Sequence, residues 1–125
     1  MAVATILWVD DEIENLQSQK LFLENKGYEV QTLTNGFEAI DYVKEHKVDV
    51  VLLDMMMPQM DGYETAKRIR ENPQWRNLPV IAVTAKAMTG DREKCINAGA
   101  SDYITKPVDI DQLMSLLRVW LYEKS

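Results

Sequence analysis

The sequence predicts an α/β fold built on a parallel sheet, and three observations carry that expectation. Short apolar, β-branched runs alternate with longer segments of helical spacing from one end of the chain to the other. The segment Val48 to Leu53 is too apolar for a sheet with one wet face, which places it centrally in a sheet covered on both sides. Hydrophobic residues make up 46% and charged residues 27% of the 125, ordinary values for a folded domain, so disorder, fibrous repeats and a coiled coil find no support.

The elements follow in order. Thr5 to Val9 is the first strand and Ile13 to Asn25 the first helix, with Gly27 where a left-handed stop is easiest. Tyr28 to Leu33 is the second strand. Gly36 to His46 presents Phe37, Ile40 and Val43 on one helical face, and Val48 to Leu53 is the third strand. Asp61 to Glu71 forms the third helix, ended by Asn72-Pro73, and Leu78 to Thr84 is a strand entered through Pro79. Asp91 to Ala98 is a shorter helix closed by Gly99, and Asp102 to Thr105 is the fifth strand. Lys106-Pro107 then forces a turn before a capping box at Asp109, and the last helix buries Leu113, Leu116, Leu117, Trp120 and Leu121 as one stripe. Five β-α units result. Nothing in the composition marks a linker, so residues 1–125 are expected to be one domain.

Several function classes are disfavoured. Fourteen basic against twenty acidic side chains leave a net charge of -6, a field that repels a polyanion, so direct binding to nucleic acid is not expected. Apolar runs stop after four residues, far short of the roughly 20 that a membrane helix needs. Cys95 is the only cysteine and His46 the only histidine, which leaves no internal disulfide, multi-cysteine metal site or His-based triad. No secretory signal is visible, and a cytoplasmic setting is expected. His46 reads as a solvated helix end, Cys95 as a small core residue, and Trp75, in the loop Pro73 to Asn77, as a surface cap far from any site. Met55, Met56, Met57 and Met60 read as a loop packed over the core rather than a soft-metal box.

Ligands of parallel α/β sheets bind beyond the carboxyl ends of the strands. Asp10 and Asp11 follow the first strand, Asp54 the third and Lys106 the fifth, while Thr84 ends the fourth. Three carboxylates brought within about 4 to 5 Å repel by roughly 3 to 4 kcal/mol per pair at an effective dielectric near 20. Raised pKa values or a hard divalent cation could offset that repulsion, and one Lys is too little for three Asp, which favours Mg2+. With a metal, an ammonium and a hydroxyl converging on one carboxylate, the natural chemistry is attack by Asp54 on phosphorus. Lys106 and Thr84 would stabilise the transferring oxygens, and the product is an acyl phosphate. Singly, each of these residues is more often a helix cap, a turn former or an ordinary strand end; the conjunction is what is uncommon.

Val9-Asp10-Asp11-Glu12, Leu53-Asp54-Met55-Met56-Met57-Pro58-Gln59-Met60-Asp61-Gly62, Val83-Thr84-Ala85 and Tyr103-Ile104-Thr105-Lys106-Pro107 together closely resemble the receiver domain of two-component response regulators. The resemblance covers almost the whole chain. It implies a flavodoxin-like, doubly wound, five-stranded parallel sheet of order 2-1-3-4-5 with five helices. It also implies that Asp54 takes its phosphoryl group from a phosphohistidine on a sensor histidine kinase or a histidine phosphotransfer protein. Asp11, Asp54 and the backbone carbonyl of Met56 would ligate Mg2+, with Asp10 acting through bound water. Thr84 and Tyr103 would form a switch pair that changes the face built from the fourth helix, fifth strand and fifth helix, the docking place of an effector or a second copy. The Lys106-Pro107 bond is expected to be cis.

Such a protein catalyses only its own phosphorylation and slow dephosphorylation. Met56 and Lys86 flank the path of hydrolytic water, and Lys86 is placed to pair with Glu12. The second half is most similar to receivers fused to histidine kinases and the first half to free-standing regulators. No output segment is read after Ser125. A hydrolase of haloacid-dehalogenase type would want a second Asp two positions after its nucleophile, where Met56 stands. A flavodoxin-type FMN carrier would be repelled by Asp10-Asp11-Glu12. A degenerate receiver used only for binding would not keep the full polar set.

Overall fold

A computed structural model describes residues 3–85 and 90–122. Five parallel strands, β1 (Thr5–Val9), β2 (Glu29–Leu33), β3 (Val50–Asp54), β4 (Val80–Thr84) and β5 (Asp102–Thr105), form one sheet in the order β2-β1-β3-β4-β5. Helices α1 (Gln17–Asn25), α2 (Gly36–Glu45), α3 (Gly62–Glu71), α4 (Asp91–Asn97) and α5 (Ile110–Tyr122) cover both faces. Among the described residues no helix is long and apolar enough to cross a membrane.

Strand alternation divides the core into two. Leu7, Val9, Val51, Leu53, Val80 and Ala82 face α2, α3 and α4 through Ala39, Val43, Ala66, Ile69 and Cys95. Ile6, Trp8, Val50, Leu52, Ile81, Val83 and Ile104 face α1 and α5 through Leu23, Leu113 and Leu117. All of β3 is buried, as expected of a central strand. The expected core role of Cys95 holds, since its side chain is fully buried.

Boundaries differ from the sequence expectation where a side chain has other work. The first helix begins as a 3-10 turn, Ile13–Leu16, without a side-chain cap. Asp10, near enough to help start it, instead accepts the Glu12 N–H at 2.8 Å and shapes the loop after β1. β4 begins at Val80 because Pro79 has no N–H to donate to a ladder. Asp61 does cap α3, accepting the Glu64 N–H at 2.9 Å, and Asn35 caps α2 in the same way.

Trp75 corrects the expectation of a surface cap. It lies in a 3-10 turn, Pro73–Trp75, and is 9% exposed, packed into the α2/α3 side of the core. Its carbonyl accepts from Arg70 Nη1 at 2.6 Å, while Arg70 Nε reaches the Gly99 carbonyl (2.8 Å) and Nη2 the Ser101 hydroxyl (3.1 Å). One guanidinium thus fastens α3 to both loops at the amino end of β4 and β5.

Trp75→Ala is expected to cost about 3 kcal/mol or more in urea unfolding, the scale for deleting a buried Trp. A loss within about 0.5 kcal/mol, the scale of a surface change, would return Trp75 to the exterior.

Candidate functional site

The register of the sheet assembles the site. Val9 lies beside Leu53, Asp54 beside Val83, and Thr84 beside Thr105, so the carboxyl ends of four strands finish nearly level. Backbone bonds extend the pairing one step past the strands. Met55 N–H donates to the Val83 carbonyl (2.9 Å) and Lys106 N–H to the Thr84 carbonyl (2.7 Å). The Lys106-Pro107 bond is cis, as expected.

Asp10, Asp11 and Asp54 each direct one carboxylate oxygen into a common space, all within 4.8 Å of one another. Asp10 and Asp54 are buried, and Asp11 is exposed at the rim. The Lys106 ammonium sits 3.0 Å from Asp10 Oδ2 and 3.5 Å from Asp54 Oδ2. Asp54 Oδ1 accepts the Met56 N–H at 3.0 Å, which fixes the carboxylate plane. Asp10 Oδ2 has the ammonium as an ionic partner but no donor aligned for a hydrogen bond.

The loop after β3 is clamped over this floor. Met55, Met57 and Met60 are buried, while Met56 stands 50% exposed at the mouth. Gly62 N–H donates to the Met55 carbonyl, and a Cβ on Gly62 would come to 2.6 Å from Met55 Cα. Only glycine admits this approach of α3 to the residue next to Asp54. Gln59 turns the loop with φ 67, a left-handed value uncommon outside glycine.

Thr84 is buried at the end of β4, and Tyr103 is half-buried on β5 opposite Ala82, packed partly against the α2/α3/α4 core. The structure therefore brings Asp10, Asp11, Asp54 and Lys106 together, sets Thr84 at the neighbouring strand end, and keeps Tyr103 three residues before Lys106. Lys86, expected opposite Glu12, lies outside the described residues. The sequence reading did not single out Gln19, which lies on α1 and shares a cleft with Asp10 and Lys106. Only the packing of α1 beside the turn at Lys106-Pro107 discloses it.

The electrostatics follow from burial. Desolvation lifts the Asp54 carboxyl from 3.8 to about 6; the Met56 N–H pulls it down, Asp10 pushes it up, Lys106 pulls it down and Asp11 pushes it up. Burial alone would lower the Lys106 ammonium, but its close pairing with the Asp10 carboxylate and the charge of Asp54 outweigh it and raise its pKa. Without a divalent cation the folded state binds a proton at Asp54 more tightly than the unfolded chain, so stability falls as pH rises between 3.8 and about 6. In divalent-free buffer Asp54→Asn should therefore stabilise the protein near neutral pH by roughly 1 to 3 kcal/mol, the scale of a shift of this size, and the gain should shrink toward pH 4. Urea titrations at the two pH values check this; a variant less stable than the parent near neutrality would refute it.

Comparison with known proteins places this geometry in a family. Residues 6–118 match the response regulator receiver domain. The chain is 39% identical over 115 residues to Response regulator Rre1 of Synechocystis sp. (strain ATCC 27184 / PCC 6803 / Kazusa), covering 91% of this chain and 50% of the relative. It is 34% identical over 117 residues to the polar-differentiation response regulator DivK of Brucella anthropi, covering 94% of this chain and 95% of the relative. The chain thus spans about half of Rre1 and nearly all of DivK. Among solved structures it resembles the receiver domain of sensor histidine kinase PA1611 from Pseudomonas aeruginosa PAO1, which holds a magnesium ion coordinated in its active site cleft. The TM-score is 0.87 at 35% identity, covering 97% of this chain and 99% of that one. With the 2-1-3-4-5 sheet and the acidic cluster at its carboxyl edge, these matches settle the assignment: the chain belongs to the receiver domains of two-component response regulators.

Proposed function

We propose that this receiver is a phosphorylation-controlled switch in a phosphorelay, with Asp54 accepting a phosphoryl group from a phosphohistidine on a sensor histidine kinase or histidine phosphotransfer protein. The observation that carries this reading is the convergence of three carboxylate oxygens with the Lys106 ammonium where four strand ends meet. The donor set is hard oxygen throughout, and the buried Asp10 Oδ2 lacks an aligned donor, both of which suit Mg2+. Asp11, Asp54 and the Met56 backbone carbonyl would hold the ion, with Asp10 acting through bound water. When bound, Mg2+ offsets the carboxylate repulsion and the charge on phosphoryl oxygens.

The chain's own residues do the rest. The bond from Met56 N–H holds Asp54 with its other oxygen turned toward Lys106. Attack by Asp54 forms an O–P bond as the N–P bond to histidine breaks, and the imidazole keeps that electron pair. Lys106 then takes hold of one of the new phosphoryl oxygens, and the Thr84 hydroxyl donates to another. Phosphate can shift the conformation only through contacts that differ between two states, and Thr84 and Lys106 supply them. The movement of Thr84 opens room for Tyr103, which alters the face made by α4, β5 and α5 for an effector or a second copy. On that face Trp120 Nε1 donates to Asp102 Oδ2 at 3.1 Å and Val119 is exposed. The reaction is a self-modification, reversed slowly by water, and we place it in the cytoplasm.

Incubation with Mg2+ and acetyl phosphate should add one phosphoryl group by intact mass, labile to alkali, and Asp54→Ala should abolish the addition while its circular dichroism stays native. A phosphorylated Asp54→Ala protein would move the acceptor elsewhere. Lys106→Ala should slow the addition by on the order of 100-fold, the scale for losing one transition-state donor. An unchanged rate would remove Lys106 from the chemistry.

A further inference from the structure

Beside the acidic cluster lies a cleft of about 220 Å3 between the start of α1 and the turn at Lys106-Pro107. Asp10, Glu12, Asn15, Gln19 and Lys106 supply its polar wall, and Leu16, Pro107 and Val108 its apolar one. Lys106 therefore borders two spaces, the carboxylate cluster and this cleft. Gln19 Oε1 is buried and has no hydrogen-bond partner. An acceptor of that kind is costly to leave unmet; of the other side chains lining the cleft, Asn15 and Lys106 carry donors, and Asn15 Nδ2 already donates to Glu12 Oε2.

The ammonium stands beside the carboxylates that would hold a divalent cation, 3.0 Å from Asp10 and 3.5 Å from Asp54. A divalent cation on the same carboxylates would repel the ammonium, which favours an alternative position within reach of its flexible stem. The geometry points to Gln19 Oε1, aided by the Glu12 carboxylate, as a second seat for the Lys106 ammonium, occupied when a divalent cation takes the carboxylates. Gln19 is then a positioning residue that sets how readily the site exchanges lysine for metal. Its neutral amide releases the ammonium again when phosphoryl oxygens appear, which a carboxylate in its place would do less readily. This inference rests on the Mg2+ site proposed above and goes beyond it by assigning a role to a helix residue outside the ligand set.

Calorimetric titration of the full chain with MgCl2 tests it. Gln19→Leu, with native circular dichroism, should weaken Mg2+ binding about three- to tenfold, the effect of one hydrogen bond to a charged group, and Gln19→Glu should restore or tighten it. In a Lys106→Met background, Gln19→Leu should change the affinity less than about twofold, because no ammonium remains to be seated. Gln19→Met serves the same purpose if the Leu variant unfolds. On adding Mg2+ to the parent protein, the Lys106 ammonium resonance should gain a nuclear Overhauser contact to the Gln19 side chain. Unchanged affinity in Gln19→Leu, or an equal loss with and without Lys106, would overturn the inference and leave the Mg2+ site standing. A parent protein with no Mg2+ affinity would defeat both readings.

Discussion

Sheet register forces like charges together, and most of what distinguishes this molecule answers that constraint. Because β1, β3, β4 and β5 end almost level, the residues that follow them share one small volume. At the separations seen, each pair of ionised carboxylates costs roughly 3 kcal/mol at an effective dielectric near 20. One lysine offsets part of that cost from a position near both buried aspartates. Burial adds to it: desolvation, with Asp10 and Asp11 behind it, raises the Asp54 carboxyl to about 6, and an Asp10 oxygen is left without an aligned donor among the described residues. A core designed for stability alone would tolerate neither; the divalent cation proposed for this site would offset both.

The sequence showed the plan of the sheet better than its edges. Alternation of apolar runs and helical spacing is a local signal, and it named all five strands and five helices, with β3 at the centre. The acidic cluster was also legible, since three strand-end aspartates and a lysine lie at fixed points in that plan. Boundaries were less so, because they depend on which backbone groups side chains claim, as Asp10 does with the Glu12 N–H. Trp75 was misplaced for a related reason. A Trp between Pro73 and Asn77 resembles surface turn chemistry until Arg70 draws that turn onto the core, and no local pattern connects Arg70 to Gly99 or Ser101. Gln19 shows the same blindness at the site itself, for its importance comes only from which turn α1 packs beside.

The two halves of the core divide the labour. The side facing α1 and α5 is closed by large side chains, among them Trp8 directly below Asp10 in the strand's alternation, and it supports the floor of the acidic cluster. The other side mixes Ala39, Ala66, Ala82 and Cys95 with larger residues such as Ile69 and Trp75 under α2, α3 and α4, and Met55 and Met57 of the loop after β3 pack into it. The strand-end Asp10, Asp54 and Thr84 thus stand on almost wholly buried strands, while the adaptable methionines sit in the loop after β3.

The close approach of Gly62 to Met55 has an evolutionary consequence. A substitution there would push against main chain, which has nowhere to retreat, so the loop beside the acceptor is barred from variation at that point. Met56, turned outward at the mouth, carries no such restriction. Its side chain can be exchanged without disturbing the hydrogen bond that its own backbone gives to Asp54, so variation at the mouth leaves the carboxylate held in place.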